Sequence, residues 1–115
     1  MADREEGAES YRNIAPDAFV KCLNEGMPDG VVIDVRETHE WLYYHLDESI
    51  HMPMQSIPGR MSELPADRDI YIVCAHGVRS AMVCDYLARS GLERLINVEG
   101  GMAAVSYVKD SFAYD

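Results

Sequence analysis

A chain of 115 residues with a net charge of -10 and a pI near 4.7 has the length of one globular domain, and its 48% hydrophobic content suits a packed core that needs no disulfide or metal staple. The acidity argues against nucleic acid and anionic membrane surfaces as partners, and no apolar run approaches the roughly 20 residues of a membrane span. A global field of this sign also repels anionic substrates, so any anion site must be built locally from backbone N–H groups and a few cations.

Residues 1–10, MADREEGAES, are acidic and polar and resemble neither a secretory signal nor an Arg-rich transit peptide. They are expected to be a disordered lead-in to one domain over 11–115, in a cytoplasmic setting. YRNI is a short extended piece. Pro16 then opens a helix at its first turn, where a missing N–H costs little, and Phe19, Val20 and Leu23 give that helix an apolar face that Gly26 ends. GVVIDV is short, apolar and β-branched, and predicts a buried strand. ETHEWLYYHL follows, with Trp41, Leu42 and His45 at helical spacing. SIHMP predicts a short strand closed by Pro53, and MQSIPGRMSELP a broken helix between prolines, with Met52, Met54 and Met61 filling gaps in the core.

DIYIVC predicts a second buried strand, and RSAMVCDYLARSG the strongest helix. Val83, Cys84, Leu87 and Ala88 share one face of that helix, Asp85 and Arg89 are spaced to pair on the other, and Gly91 is a natural stop. RLINV is a last strand and GGMAAVSYVKDSF a last helix. Strands that are apolar on both faces, alternating with helices, predict an α/β fold with a doubly wound, mainly parallel sheet covered on both sides.

In such sheets function sits at the carboxyl ends of strands. One strand ends in Asp34 and Arg36, the other in Cys74. After Cys74 the backbone must curl tightly before the next helix, and Gly77 permits the positive φ that a curl needs. Curled backbone turns its N–H groups inward, and the positive end of the following helix adds to them. Cysteines at helix N-termini ionise below their usual value of about 8.5, and the same cradle holds an incoming anion. Position, Gly77 and the cations His76 and Arg79 favour this over a small residue kept for packing.

The chain has three cysteines, an odd number with no CxxC pair, which are expected to be reduced thiols. HEWLYYH misses the metalloprotease pattern HExxH because Tyr43 stands at the second histidine position and His45 comes two places late. No metal and no cofactor are expected.

The segments VVIDVRETHEW, HLDESIHMP and IYIVCAHGVRSAMVCDYLARSGLERLINVEGGM resemble the single-domain rhodanese (thiosulfate sulfurtransferase) family, over about residues 11–109. The D-V-R-E strand end, the C-x-x-G-x-R-S loop and the closing G-G-M carry the likeness. The resemblance implies a five-stranded doubly wound sheet and a thiolate that takes sulfane sulfur from a donor such as thiosulfate. The resulting persulfide passes its sulfur to a thiophilic acceptor such as cyanide. By motif position Cys74 is the nucleophile, and Ala75, His76, Gly77, Val78 and Arg79 complete the substrate-binding loop. Ser80 supports it. His76 is expected to lean over the cradle, where a cation favours thiosulfate. Asp34 and Arg36 are expected to brace the loop rather than touch substrate, with a local Arg36–Glu40 ion pair as the plainer reading.

The chain departs from the family at three places. YHLDES stands where rhodaneses carry a turn with glycine and proline, Val105 stands at a tryptophan position, and Cys84 stands at an alanine position. Cys84 and Cys22 are read as core filler. Two other readings stay open. One is a module that carries sulfur to a protein partner. The other is a phosphatase of related fold, whose loop has five residues between cysteine and arginine where this chain has four.

Overall fold

The structure, a computed structural model, describes residues 11–27 and 29–111, so the expected lead-in over 1–10 lies outside the described residues. Five strands form one sheet: β1 (Tyr11–Ile14), β2 (Gly30–Asp34), β3 (Ser49–His51), β4 (Asp69–Val73) and β5 (Leu95–Val98). Their order is β1-β5-β4-β2-β3 and every pairing is parallel. The helices are α1 (Pro16–Asn24), α2 (Thr38–Tyr43), α3 (Ile57–Arg60), α4 (Val78–Arg89) and α5 (Gly101–Asp110). Single 3₁₀ turns at Met54–Ser56 and Met61–Glu63 flank α3, so the segment between prolines is broken as its sequence predicts.

Side chains alternate across the strands, and this alternation sorts the core into two layers. From β4, Tyr71 and Val73 face the layer of α1 and α5, with Phe19, Val20, Leu23, Met102 and Val105. Ile70, Ile72 and Cys74 face the layer of α3 and α4, with Ile57, Val83, Cys84 and Leu87. Each wholly buried Leu or Ile contributes about 1.5–3 kcal/mol by leaving water. Val105 fills its place in the first layer and is fully buried. The turn that lacks glycine and proline is closed by Ser49, whose N–H and hydroxyl both donate to the Leu46 carbonyl, at 3.0 and 2.7 Å.

The sequence reading of α2 is too long. The helix ends at Tyr43, and the next residue, Tyr44, is extended with φ -165°. His45 lies beyond it, although its Nδ1 still meets the Trp41 carbonyl at 2.7 Å. The polypeptide winds outward in both directions from the β2–β4 pair, so the switch point of the sheet lies between the ends of these two strands. Asp34, Arg36 and Cys74 all stand there.

Candidate active site

Cys74 follows β4 directly and is 1% exposed. The chain then curls through Gly77, whose φ of +96° makes it the left-handed cap of α4. This curl turns the Gly77 N–H back onto Cys74 Sγ at 3.1 Å. The positive end of α4, a helix of twelve residues, lies at the same point. Ala75 is buried, while His76 and Val78 are exposed.

A buried polar chain runs away from the sulfur. The Cys74 thiol donates to Ser80 Oγ at 3.3 Å, and the Ser80 hydroxyl donates to Asn97 Oδ1 at 2.5 Å. Asn97 Nδ2 then donates to Asn13 Oδ1 at 3.0 Å. Asn97 is the polar residue in an otherwise apolar β5, and the alternation along that strand points it toward α4, where Ser80 reaches it.

The loop backbone rests on the start of α5. Met102 N–H donates to the Cys74 carbonyl at 2.7 Å, and Ala103 N–H to the Ala75 carbonyl at 3.0 Å. A Cβ on Gly101 would lie 2.5 Å from the Cys74 and Ala75 carbonyl oxygens, so only glycine permits this approach. The closing glycine pair therefore has a mechanical role: it lets two helix-terminal N–H groups fix the cysteine loop from below.

Asp34 and Arg36 form a fully buried pair. Arg36 Nε and Nη2 donate to the Asp34 carboxylate at 2.7–3.1 Å, and Nη2 and Nη1 reach the carbonyls of Tyr44 and Glu40 at 2.6 and 3.4 Å. Arg36 thus pins α2 to the end of β2. The plainer reading, a local pair of Arg36 with the Glu40 carboxylate, gives way to a different partner. That carboxylate turns to the loop and takes both ends of Arg79, at 2.9 and 3.0 Å. Arg79 holds Glu40 well below the usual carboxylate range, at about 2, helped by the Glu37 N–H that caps α2. Glu40 in turn raises Arg79. A chain of contacts therefore runs from Asp34 through Arg36 and α2 to Glu40 and Arg79.

Cys84 faces the same layer as Cys74 and is fully buried; burial, then the charge of Cys74, pushes its thiol up to about 12. Trp41 stacks on His45 and His51, with ring centres 3.8 and 4.8 Å away. Met54 does more than fill the core. It packs on the α3/α4 layer and also lines a surface groove with Ile57, Pro58, Met82, Val83 and Tyr86.

Sequence reasoning missed the roles of Glu40, Asn97 and Gly101. Glu40 had a signal in the Glu37-x-x-Glu40 capping pattern, and Asn97 in being polar within a buried run.

A family model described as "Rhodanese-like domain" matches residues 15–107. The chain belongs to this family. It is 40% identical over 76 residues to a sulfurtransferase of Allochromatium vinosum, covering 66% of this chain and 71% of that one. It is 27% identical over 95 residues to a thiosulfate sulfurtransferase, GlpE, of Actinobacillus pleuropneumoniae serotype 7, covering 82% and 85%. The crystal structure of a rhodanese-like domain protein from Staphylococcus aureus superposes with a TM-score of 0.75 at 36% identity, over 82% of this chain and 90% of that one. Relatives and fold together support a sulfurtransferase or sulfur-carrier role for this rhodanese-like chain.

Proposed function

We propose that the protein is a sulfurtransferase that carries sulfane sulfur as a persulfide on Cys74, taking it from a donor such as thiosulfate and giving it to a thiophilic acceptor such as cyanide. The observation that carries this reading is the Gly77 N–H at 3.1 Å from Cys74 Sγ, at the positive end of α4. Both the thiolate and the persulfide are anions, and this cradle favours each.

In the loading step the Cys74 thiolate attacks the outer sulfur of thiosulfate. A sulfur–sulfur bond forms to Cys74, the bond to the sulfonate breaks, and sulfite leaves with the electron pair. In the unloading step cyanide attacks the outer sulfur, thiocyanate leaves, and the pair returns to Cys74 Sγ. No oxidant or reductant is consumed. Their positions support roles for the other residues. Ala75, His76, Gly77 and Val78 wall the cradle, Ser80 steadies the sulfur from beneath, and Arg79 with Asp34 and Arg36 keeps the loop in shape. A sulfur-accepting protein is a second class of acceptor, since His76 and Val78 stand exposed at the loop. The cysteines, all free among the described residues, suit a reducing, cytoplasm-like setting.

Intact mass after a sulfane donor, then after cyanide, tests the proposal. One added sulfur atom that cyanide removes as thiocyanate is the expected result. No adduct with any of several sulfane donors overturns it.

A further inference from the structure

The charges around the loop bear on which donor it takes. Arg36 is matched to Asp34, with both side chains fully buried. Arg79, the arginine of the loop itself, has both terminal nitrogens on Glu40. The two pairs cancel, and Glu37, whose negative charge also bears on Arg79, leaves these carboxylates and guanidiniums negative in sum; His76, the other basic side chain of the loop, is exposed. The chain as a whole carries -10.

Loading from thiosulfate brings a dianion against a thiolate, so three negative charges meet beside these matched pairs. Like charges at contact distance repel strongly in a partly dehydrated site unless cations answer them. An organic persulfide avoids this. With Cys74 as the thiol, R–S–S⁻ and Cys–SH carry one negative charge between them. The proton passes to the donor's terminal sulfur, the Cys74 thiolate attacks that sulfur, the donor's S–S bond breaks with its electron pair staying on R–S, and the proton then moves from the transferred sulfur to R–S. The products are Cys–S–S⁻ and R–SH. Charge and protons balance, and the site holds one negative charge throughout.

The surface beside the loop also suits an organic arm. Val78 is 68% exposed, and Met82, one turn further along α4, is 59% exposed. Met82 lines the apolar groove with Met54, Ile57, Pro58, Val83 and Tyr86, a hollow of about 220 Å³. Met54 is hydrogen-bonded through its N–H to the Val35 carbonyl, just past the end of β2, which places the Met54 side of the groove toward the end of the sheet where Cys74 stands. It has the size of a small organic group.

We propose that the site takes its sulfur best from a low-molecular-weight organic persulfide, a monoanion whose apolar arm lies along the Met54–Met82 groove, rather than from the thiosulfate dianion. The inference rests on the sulfurtransferase reading above and names its donor class. In wild-type protein, kcat/KM for propyl persulfide should exceed that for thiosulfate by about tenfold or more. Raising ionic strength should increase the thiosulfate value relative to the persulfide value, because salt screens repulsion. Glu40→Gln, which releases Arg79, should shift the ratio of the two toward thiosulfate. Met82→Asp should lower the persulfide value. Wild-type protein that prefers thiosulfate, or whose thiosulfate value falls with salt relative to persulfide, overturns the inference and leaves the sulfurtransferase reading standing. Absence of a Cys74 adduct with either donor removes both. The salt measurement needs no variant, so it decides the question even where a substitution disturbs folding.

Discussion

Ser80 and Asn97 meet across 2.5 Å in the interior, with the serine hydroxyl donating to the amide oxygen while it accepts from the Cys74 thiol. Neither side chain has appreciable access to water, so each is the other's main polar partner inside the α4 layer. Ser80→Ala leaves the Asn97 oxygen buried without its donor and should lower stability by about 1–3 kcal/mol. Adding Asn97→Leu should recover part of that loss, because replacing both partners by apolar groups is nearly neutral, and Asn13 is exposed and can turn to water. Urea unfolding of wild type, both single variants and the double variant measures the coupling. Strict additivity would show that the pair is not a unit.

The three cysteines should separate sharply. Cys74→Ser should abolish persulfide formation, since a hydroxyl ionises far above a thiol and forms no persulfide. Cys84→Ala and Cys22→Ser should load sulfur normally. Cys84 is fully buried and its thiol is pushed up to about 12, so it stays protonated at neutral pH. Mass after loading and after alkylation of the native protein checks this. A folded Cys84→Ala protein that fails to load would point to a relay between two thiols.

The sheet and the cysteine loop were legible because their signals are local. IYIVC is apolar on both faces, Gly77 supplies the turn, and Pro16 marks a helix start. The support of the loop was not legible for the opposite reason. Arg79 and Glu40 are 39 residues apart, and Asn97 and Asn13 are 84 apart. Nothing in the spacing of charges along the chain selects Arg79 over Arg36 as the partner of Glu40. Only the sheet, which sets β2 beside β4, brings α2 and the loop together. The same limit explains α2: helical spacing continues through His45, but Arg36 draws the Tyr44 carbonyl inward and the helix ends before it.

Gly101→Ala should be among the most damaging single-methyl changes in the chain. The new Cβ would stand 2.5 Å from the backbone of Cys74 and Ala75, and the φ of +59° already disfavours a side chain. Relief requires α5 to move away, which breaks the Met102 and Ala103 N–H bonds to the loop. A loss of about 2 kcal/mol or more is expected, with a fall in sulfur loading that exceeds the unfolded fraction. Comparing loading with thermal unfolding at one temperature tests this. Wild-type loading in the variant would show that the loop keeps its shape without α5.

Hydrolysis of aryl phosphates should be negligible. Only four residues separate Cys74 from Arg79, and the arginine is held by Glu40 rather than turned over the sulfur. A loop lengthened by one residue between Val78 and Arg79 should bind oxyanions better and transfer sulfur less well. Efficient phosphatase activity in the wild type would refute the argument from loop length.

The Glu40–Arg79 pair also makes a pH prediction whose sign is fixed. Glu40 titrates near 2 in the folded protein and near its ordinary value of 4.5 when unfolded. A carboxylate with a depressed folded-state value stabilises the fold fully above its unfolded value, and that contribution is lost as pH falls toward the folded one. The stability gap between wild type and Glu40→Gln should therefore be constant above about pH 5.5 and close progressively between 4.5 and 2. The pair is partly exposed, at 29% and 19%, so salt should narrow the gap at neutral pH as well. Urea unfolding of both proteins across this range, at low and high ionic strength, reads the effect. A gap that persists unchanged down to pH 2.5 would mean that Glu40 acts through its shape in the α2 cap and not through its charge on Arg79.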